Sequence, residues 1–257
     1  MNLHVITVAY CRSAQLARML LEFRKVSSPC LFRHIIVQGH YPIDRERNNK
    51  EIELIVKSYG LAELWDPGSN LGSSQSQQWA LDRLGYSSED YWVNLDPDSA
   101  CRDGNWLHSM KTVLDHATEC AVISCNAPMV EALIKSRSQQ WIRKYVDGVN
   151  VGILDRPTPF NLSMWKCSFV KEIGGIQQYY PWWGELEAPI HAHAAMRGMY
   201  HAYLLDHMEC EEGKFFHPAS NGEWKNRHAR TEGPSQFIGN YEEFLRYAYP
   251  QLSELKL

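Results

Sequence analysis

Tyr91-Trp92-Val93-Asn94-Leu95-Asp96-Pro97-Asp98 is the stretch on which the fold turns. Its first five residues, rich in aromatic and apolar types, read as a strand, and Asp-Pro-Asp reads as the turn that closes it. Two carboxylates one residue apart at a strand end form a compact hard-oxygen site. Mg²⁺ and Mn²⁺ suit such a site, because they take one or two protein carboxylates and fill the remaining positions with water and substrate phosphates. The same tripeptide is also good turn chemistry after any strand, so its surroundings must decide between the two.

Upstream, strand and helix signals alternate. Leu3 to Ala9 is a short apolar, β-branched run, and Ser13 is placed to cap a helix carrying Leu16, Met19, Leu20 and Phe23 at i, i+3, i+4 and i+7. Ile35-Ile36-Val37 is the second strand. Asp44 is placed to cap a helix with Ile52, Ile55, Val56 and Tyr59 at helical spacing and Gly60 as its stop. Ala62 to Trp65 is a third strand, and Asp66 to Asn70 a turn cluster. A helix follows from about Ser74 to Leu84. Beyond the Asp pair, Trp106, Met110, Val113 and Leu114 mark another helix, and Ala121 to Ser124 a fifth strand. Strands and helices in this alternation predict an α/β fold, a mostly parallel sheet covered on both faces. Ligands of such sheets bind beyond the carboxyl ends of the strands, where the Asp pair lies.

The second half is less regular. Residues 126–160 read as a helical patch followed by a loop-rich stretch from Asp147 to Pro159. Ser163 to Ile173 reads as a helix or a strand plus helix, closed by Gly174-Gly175. Tyr179 to Gly184 is an aromatic loop, Glu187 to Arg197 a helix ended by Gly198, and His201 to Leu205 a strand. Glu211 to Pro234 reads as a long polar loop or lid, and Asn240 to Tyr249 as a terminal helix. No linker divides the chain.

Composition narrows the function classes. A hydrophobic fraction of 44% supports a sizeable core, and a net charge of −4 gives no electrostatic basis for a nucleic-acid partner. Seven cysteines, odd in number and without CxxC spacing, argue against a disulfide framework and for a reducing compartment. No run approaches the roughly 18 apolar residues of a membrane span, and Met1 to Ile6 lacks a basic n-region and cleavage site. The expectation is a cytoplasmic protein without a transmembrane segment. His191-x-His193 is not a zinc pair, since i, i+2 residues on a helix point to different faces. No GxGxxG, P-loop or GxSxG string is present.

Five strings in order resemble the family 2 glycosyltransferases, which have the GT-A (Rossmann-like) fold, and together they span residues 3 to about 205. Val8-Ala9-Tyr10-Cys11-Arg12 stands where the family's first strand ends, keeping its Tyr and Arg. Asn70-Leu71-Gly72 matches its Asn-x-Gly, and Asp96-Pro97-Asp98 its D-x-D, followed by a helix with an early Trp, here Trp106. Ile173-Gly174-Gly175 through Trp183-Gly184-Glu185-Leu186-Glu187 resembles its Gly-Gly, aromatic and acidic element, which leads to Arg197-Gly198.

The resemblance implies a single catalytic domain over 1–257. Residues 1–125 would be its nucleotide-sugar half, 126–205 its acceptor side and 206–257 a loop-rich extension. It implies a metal-dependent transferase, inverting in stereochemistry, that moves a sugar from a nucleotide-diphosphate donor to a hydroxyl of a saccharide, lipid-linked or protein acceptor. Asp98 and Asp96 would hold Mn²⁺ or Mg²⁺, with His217 or His207 as a further ligand. Ala9, Tyr10, Arg12, Gln38, Asn70, Gly72 and Asp96 would frame the donor. Glu187, or second to it Glu185, would be the base, and Trp182 and Trp183 would stack on the acceptor. The chain departs from the family at the second strand's end. There Val37-Gln38-Gly39-His40-Tyr41 carries no carboxylate to grip the nucleotide base. A sugar nucleotidyltransferase and a non-catalytic nucleotide-sugar binder are the alternatives. The first would want a Gly-rich basic loop after the first strand, which Cys11 to Ala14 does not supply.

Overall fold

The computed structural model describes residues 2–10, 13–25, 32–41, 45–97, 99–101, 104–125, 141–154, 162–176, 187–205 and 210–212. The amino-terminal half follows the hydrophobic periodicity. Its elements are β1 (Leu3–Ala9), α1 (Ser13–Phe23), β2 (Phe32–Gln38), α2 (Arg45–Tyr59), β3 (Glu63–Trp65), α3 (Ser73–Leu84), β4 (Tyr91–Leu95), β5 (Ser99–Cys101), α4 (Trp106–His116) and β6 (Cys120–Cys125). Leu16, Met19, Leu20 and Phe23 are the buried stripe of α1. Ser13 is the first residue of that helix rather than its cap, and its hydroxyl instead donates to Glu51 Oε2 on α2 at 2.9 Å. Asp44, expected to cap α2, lies outside the described residues.

The carboxyl-terminal half departs more from expectation. Where a loop was expected, β7 (Ile142–Val146) and β8 (Val149–Ile153) form an antiparallel hairpin. Its turn is Asp147-Gly148, both with positive φ (43° and 87°), the two-residue geometry that matches strand twist. β9 (Leu162–Lys166) runs directly into the short helix α5 (Cys167–Glu172). Then come α6 (Glu187–Met196), β10 (Tyr200–Leu204) and β11 (Cys210–Glu212). β11 falls at the start of the expected lid and pairs antiparallel with β5. Residues 126–140 of the stretch expected to hold a helical patch, the aromatic loop and the terminal helix lie outside the described residues.

Nine strands form one sheet in the order β3-β2-β1-β4-β9-β6-β10-β8-β7. The β3-β2-β1-β4 block is parallel, as is β6 with β10. β9 is inserted antiparallel between β4 and β6, and β8 and β7 are antiparallel at the far edge, so the sheet is mixed in its second half.

Strand alternation sorts side chains to two core layers. On one face, Tyr91, Val93 and Leu95 of β4 pack with residues of α1, α2 and α4, including Leu20, Ile52, Trp106 and Met110. On the other, Trp92 packs with Leu81 of α3, Trp165, Phe169 of α5 and Ile190 of α6. Trp92 and Trp165 are fully buried and stack with centroids 4.8 Å apart. Because β3, β2, β1 and β4 are parallel, their carboxyl ends lie along one edge of the sheet. The loop into α3 starts from that edge as well.

Candidate active site at the carboxyl edge of the sheet

The ends of β1 and β2 are held close together by a glycine. Gly39 N–H donates to Ala9 O at 2.7 Å. A Cβ on Gly39 would stand 2.8 Å from both Ala9 O and Tyr10 Cα, so no larger residue fits without backbone movement. Asn48 of α2 donates from Nδ2 to Tyr10 O at 2.7 Å, and the Tyr10 and Tyr41 rings meet edge to face at 5.1 Å. Gln38 is buried and donates from Nε2 to Asn49 Oδ1 on α2 at 2.8 Å. At the next turn, Asn70 Oδ1 accepts the Gly72 N–H at 2.9 Å, an Asx turn that leads into α3. Gly72 has φ 77°, a conformation that favours glycine, and supplies no side-chain cap.

A carboxylate does stand at this edge, one strand over from where the resemblance sought it. Asp66 follows β3, and its Oδ1 pairs with the His40 Nε2 beyond β2. Arg45 and Asn49 donate to His40 Nδ1 at 3.0 and 3.1 Å, so Nε2 carries the ring proton and donates it to Asp66. The Gly68 N–H adds a second bond to Asp66 Oδ1 at 2.6 Å. Burial alone would raise the Asp66 carboxyl, but the Gly68 amide, the His40 hydrogen bond and the Arg45 charge together hold it below the ordinary carboxylate range. His40 is buried with φ 54°, an uncommon backbone for a non-glycine residue. No local string marks this cluster. The signal available in the sequence was an Asp directly after a short strand that pairs beside β2.

At the end of β4, Asp96 is half-buried, and Asn94 Nδ2 approaches its Oδ1 at 3.5 Å. The Asn94 oxygen in turn accepts from Gln77 Nε2 of α3 at 2.7 Å, a buried amide pair. β5 begins at Ser99, and its register with β11 pairs Ser99 with Glu212 and Cys101 with Cys210. β11 therefore runs toward the Asp-pair end of β5.

Farther along the chain, α6 begins at Glu187, with Ile190 buried and His193 half-buried against Arg197, whose Nη1 donates to His193 O at 3.0 Å. Burial, and then the Arg197 charge, push the His193 ring below its ordinary value. His201 of β10 is fully buried beside His191 and pairs with the Ser124 hydroxyl at 2.8 Å. Burial first, and then His191, hold its pKa well below the ordinary value, so it is neutral.

No family model matches the chain, and no curated protein matches it. Solved structures do. The mannosyltransferase PcManGT from Pyrobaculum calidifontis, in complex with GDP-Man and Mn²⁺, aligns at TM-score 0.61 and 16% identity over 89% of this chain and 61% of its own. S. aureus TarS 1–349 in complex with UDP-GlcNAc aligns at 0.56 and 13% over 83% and 60%. GalNAc-T7 with UDP, GalNAc and Mn²⁺ aligns at 0.60 and 11% over 98% and 51%. The chain has the GT-A fold. It spans between half and three fifths of the length of these structures.

Within the GT-A fold, Ala9, Tyr10, Gln38, Gly72 and Asp96 fall at the carboxyl edge, with Asn70 in the turn that opens α3. Glu187 opens α6. Arg12, Asp98, Trp182, Trp183, Glu185, His207 and His217 lie outside the described residues. Among the described residues no group of three or more His, Cys, Asp or Glu side chains is placed to hold a metal ion. Asp96 nevertheless fits a divalent metal by its chemistry. It is a partly exposed carboxylate at a strand end with an amide donor behind one oxygen. Among the described residues no helix is long and apolar enough to cross a membrane.

Proposed function

We propose that this chain is a metal-dependent glycosyltransferase, moving a sugar from a nucleotide-diphosphate donor to an acceptor hydroxyl with inversion. The observation that carries this is Asp96 at the carboxyl end of β4, on the GT-A sheet. Three solved structures with this fold hold GDP-Man and Mn²⁺, UDP-GlcNAc, or UDP, GalNAc and Mn²⁺. In this proposal residues 1–125 and 126–205 are the donor and acceptor halves of one domain, with 206–257 as its extension. The joining of β1 to β10 in one sheet supports their belonging to one domain. The buried free thiols Cys120 and Cys167 suit a reducing, cytoplasmic setting.

Asp96 and Asp98 would hold Mn²⁺ or Mg²⁺. The direction of β11 favours His217 over His207 as a further ligand, because the chain after Glu212 leaves β11 at the Asp-pair end of β5. The bound metal would act as a Lewis acid, offsetting charge on the leaving diphosphate. Ala9, Tyr10 and Arg12 would flank the nucleoside, and Asn70 and Gly72 would shape the turn beside it. Gln38, engaged with Asn49, would keep the wall of that pocket rigid. Glu187 would accept the proton of the acceptor hydroxyl, with Glu185 as the second candidate, and Trp182 and Trp183 would present indole faces to a saccharide, lipid-linked or protein-borne acceptor.

The test is Mn²⁺-dependent turnover of a panel of GDP- and UDP-sugars by the wild-type chain and by Asp98→Ala and Glu187→Gln. The expected outcome is turnover in the wild type and a loss of at least about 100-fold in each variant. Donor binding without turnover on any acceptor, in the wild type, would instead establish a non-catalytic nucleotide-sugar binder.

A further inference from the structure

A row of polar side chains crosses the α3 face of the sheet where a dry layer would pack as well. Gln77, Asn94, Ser163, Ser124 and His201 are at most 7% exposed. Asn94 stands opposite Ser163 in the β4–β9 register, and Ser163 opposite Ser124 between β9 and β6. Ser163 Oγ accepts the Trp165 Nε1–H at 2.7 Å, which ties the row to the Trp92–Trp165 stack beneath it. Uncharged polar groups at this depth add little when paired and are costly when unpaired. Gln77 Oε1 is buried without a hydrogen-bond partner.

The donor end of the row shows what the amides do. Gln77 Nε2 occupies the Asn94 oxygen at 2.7 Å, which turns the Asn94 NH₂ toward Asp96 Oδ1, 3.5 Å away. Asp96 follows β4 directly, two residues after Asn94, where a continued strand alternation puts both on one face. The order of contacts is helix α3, strand β4, carboxylate.

Resting on the transferase reading above, we propose that Gln77 and Asn94 are positioning residues for the metal-binding carboxylate Asp96. Asn94 would restrain Asp96 through its Oδ1 and so limit the rotation of the carboxylate that would hold the cation. Gln77 acts through Asn94 by fixing which edge of its amide faces the carboxylate. Partners behind metal-ligating carboxylates typically change metal affinity 10- to 100-fold when removed.

The experiment is an electron paramagnetic resonance titration of free Mn²⁺ with the full chain, in the presence of UDP and, separately, GDP. Variants are Asn94→Leu, Gln77→Met and the double substitution, each with its urea midpoint measured. Gln77→Met keeps length and helix propensity and so preserves the fold even if Asn94→Leu does not. The proposal expects Mn²⁺ binding about 10-fold or more weaker in either single variant. The double variant should be no weaker than Asn94→Leu, because Gln77 acts only through Asn94. Wild-type Mn²⁺ affinity in a folded Gln77→Met variant would overturn the proposal, as would additive losses in the double. A wild-type chain that binds no Mn²⁺ with either nucleotide would remove the transferase reading and this inference together, which distinguishes the two failures.

Discussion

At the residue scale, Gly39 has the most sharply defined reason to be what it is. The contact a methyl group would make is with the backbone of Ala9 and Tyr10, which cannot swing aside as a side chain would. Gly39→Ala should therefore destabilise by about 1–3 kcal/mol and weaken nucleotide binding by splaying the ends of β1 and β2. Urea denaturation and calorimetric titration would show both effects. His34 sets a second expectation. Its ring is buried between Phe23 and Tyr59, and burial lowers its pKa to about 3. The unfolded chain binds a proton at this residue below about pH 6.5 while the folded chain does not, so its stability contribution is complete above that pH. It is lost progressively as the pH falls toward 3. Between pH 7.5 and 5.0 the loss at this residue should be about 2 kcal/mol. His34→Phe should remove that share of the pH dependence, read as a smaller difference between urea midpoints at the two pH values.

The element scale shows how much the chain declares locally. The stripe Leu16, Met19, Leu20 and Phe23 and the run Tyr91 to Leu95 were legible because one period accounts for each, and both are buried as that period requires. The β7–β8 hairpin carries a local signal in its turn but not in its first strand. Asp147-Gly148 between Ile142-Arg143-Lys144-Tyr145-Val146 and Val149 is a strong short-range hairpin signal. Its strand was masked by exposure, since four of the five residues of β7 face solvent and break the apolar alternation. Gly148→Ala should lower stability by about 1 kcal/mol, because φ of 87° is costly for any residue with a Cβ. Hydrogen exchange should localise that loss to residues 142–153. β5 and β11 are a different case. Each has three residues, and only their partnership across the chain makes them strands.

Across the whole molecule, what the sequence could not show is order within the sheet. The antiparallel insertion of β9 between β4 and β6 brings Trp165 against Trp92, a contact that no window of sequence contains. The same long-range placement puts Asp66 beside His40, and so supplies a carboxylate to an edge that the second strand left without one. D-x-D and Asn-x-Gly are local strings, so Asp96 and Asn70 could be named as candidates from the sequence alone. The Gln77–Asn94 amide pair could not, since it joins a helix to a strand 17 residues away. All of this bears on one claim, that the carboxyl edge binds a nucleotide diphosphate through a divalent metal. The direct measurement is the melting temperature of the chain with UDP, GDP and their sugars, each with and without Mn²⁺. Ligand at about 100 times its Kd adds roughly 2.7 kcal/mol, which at this size raises the melting temperature by about 5–10 °C. The account predicts such a rise for at least one nucleotide only when Mn²⁺ is present, and its loss in Asp98→Ala. No rise with any nucleotide, or the same rise without metal and in Asp98→Ala, would contradict it.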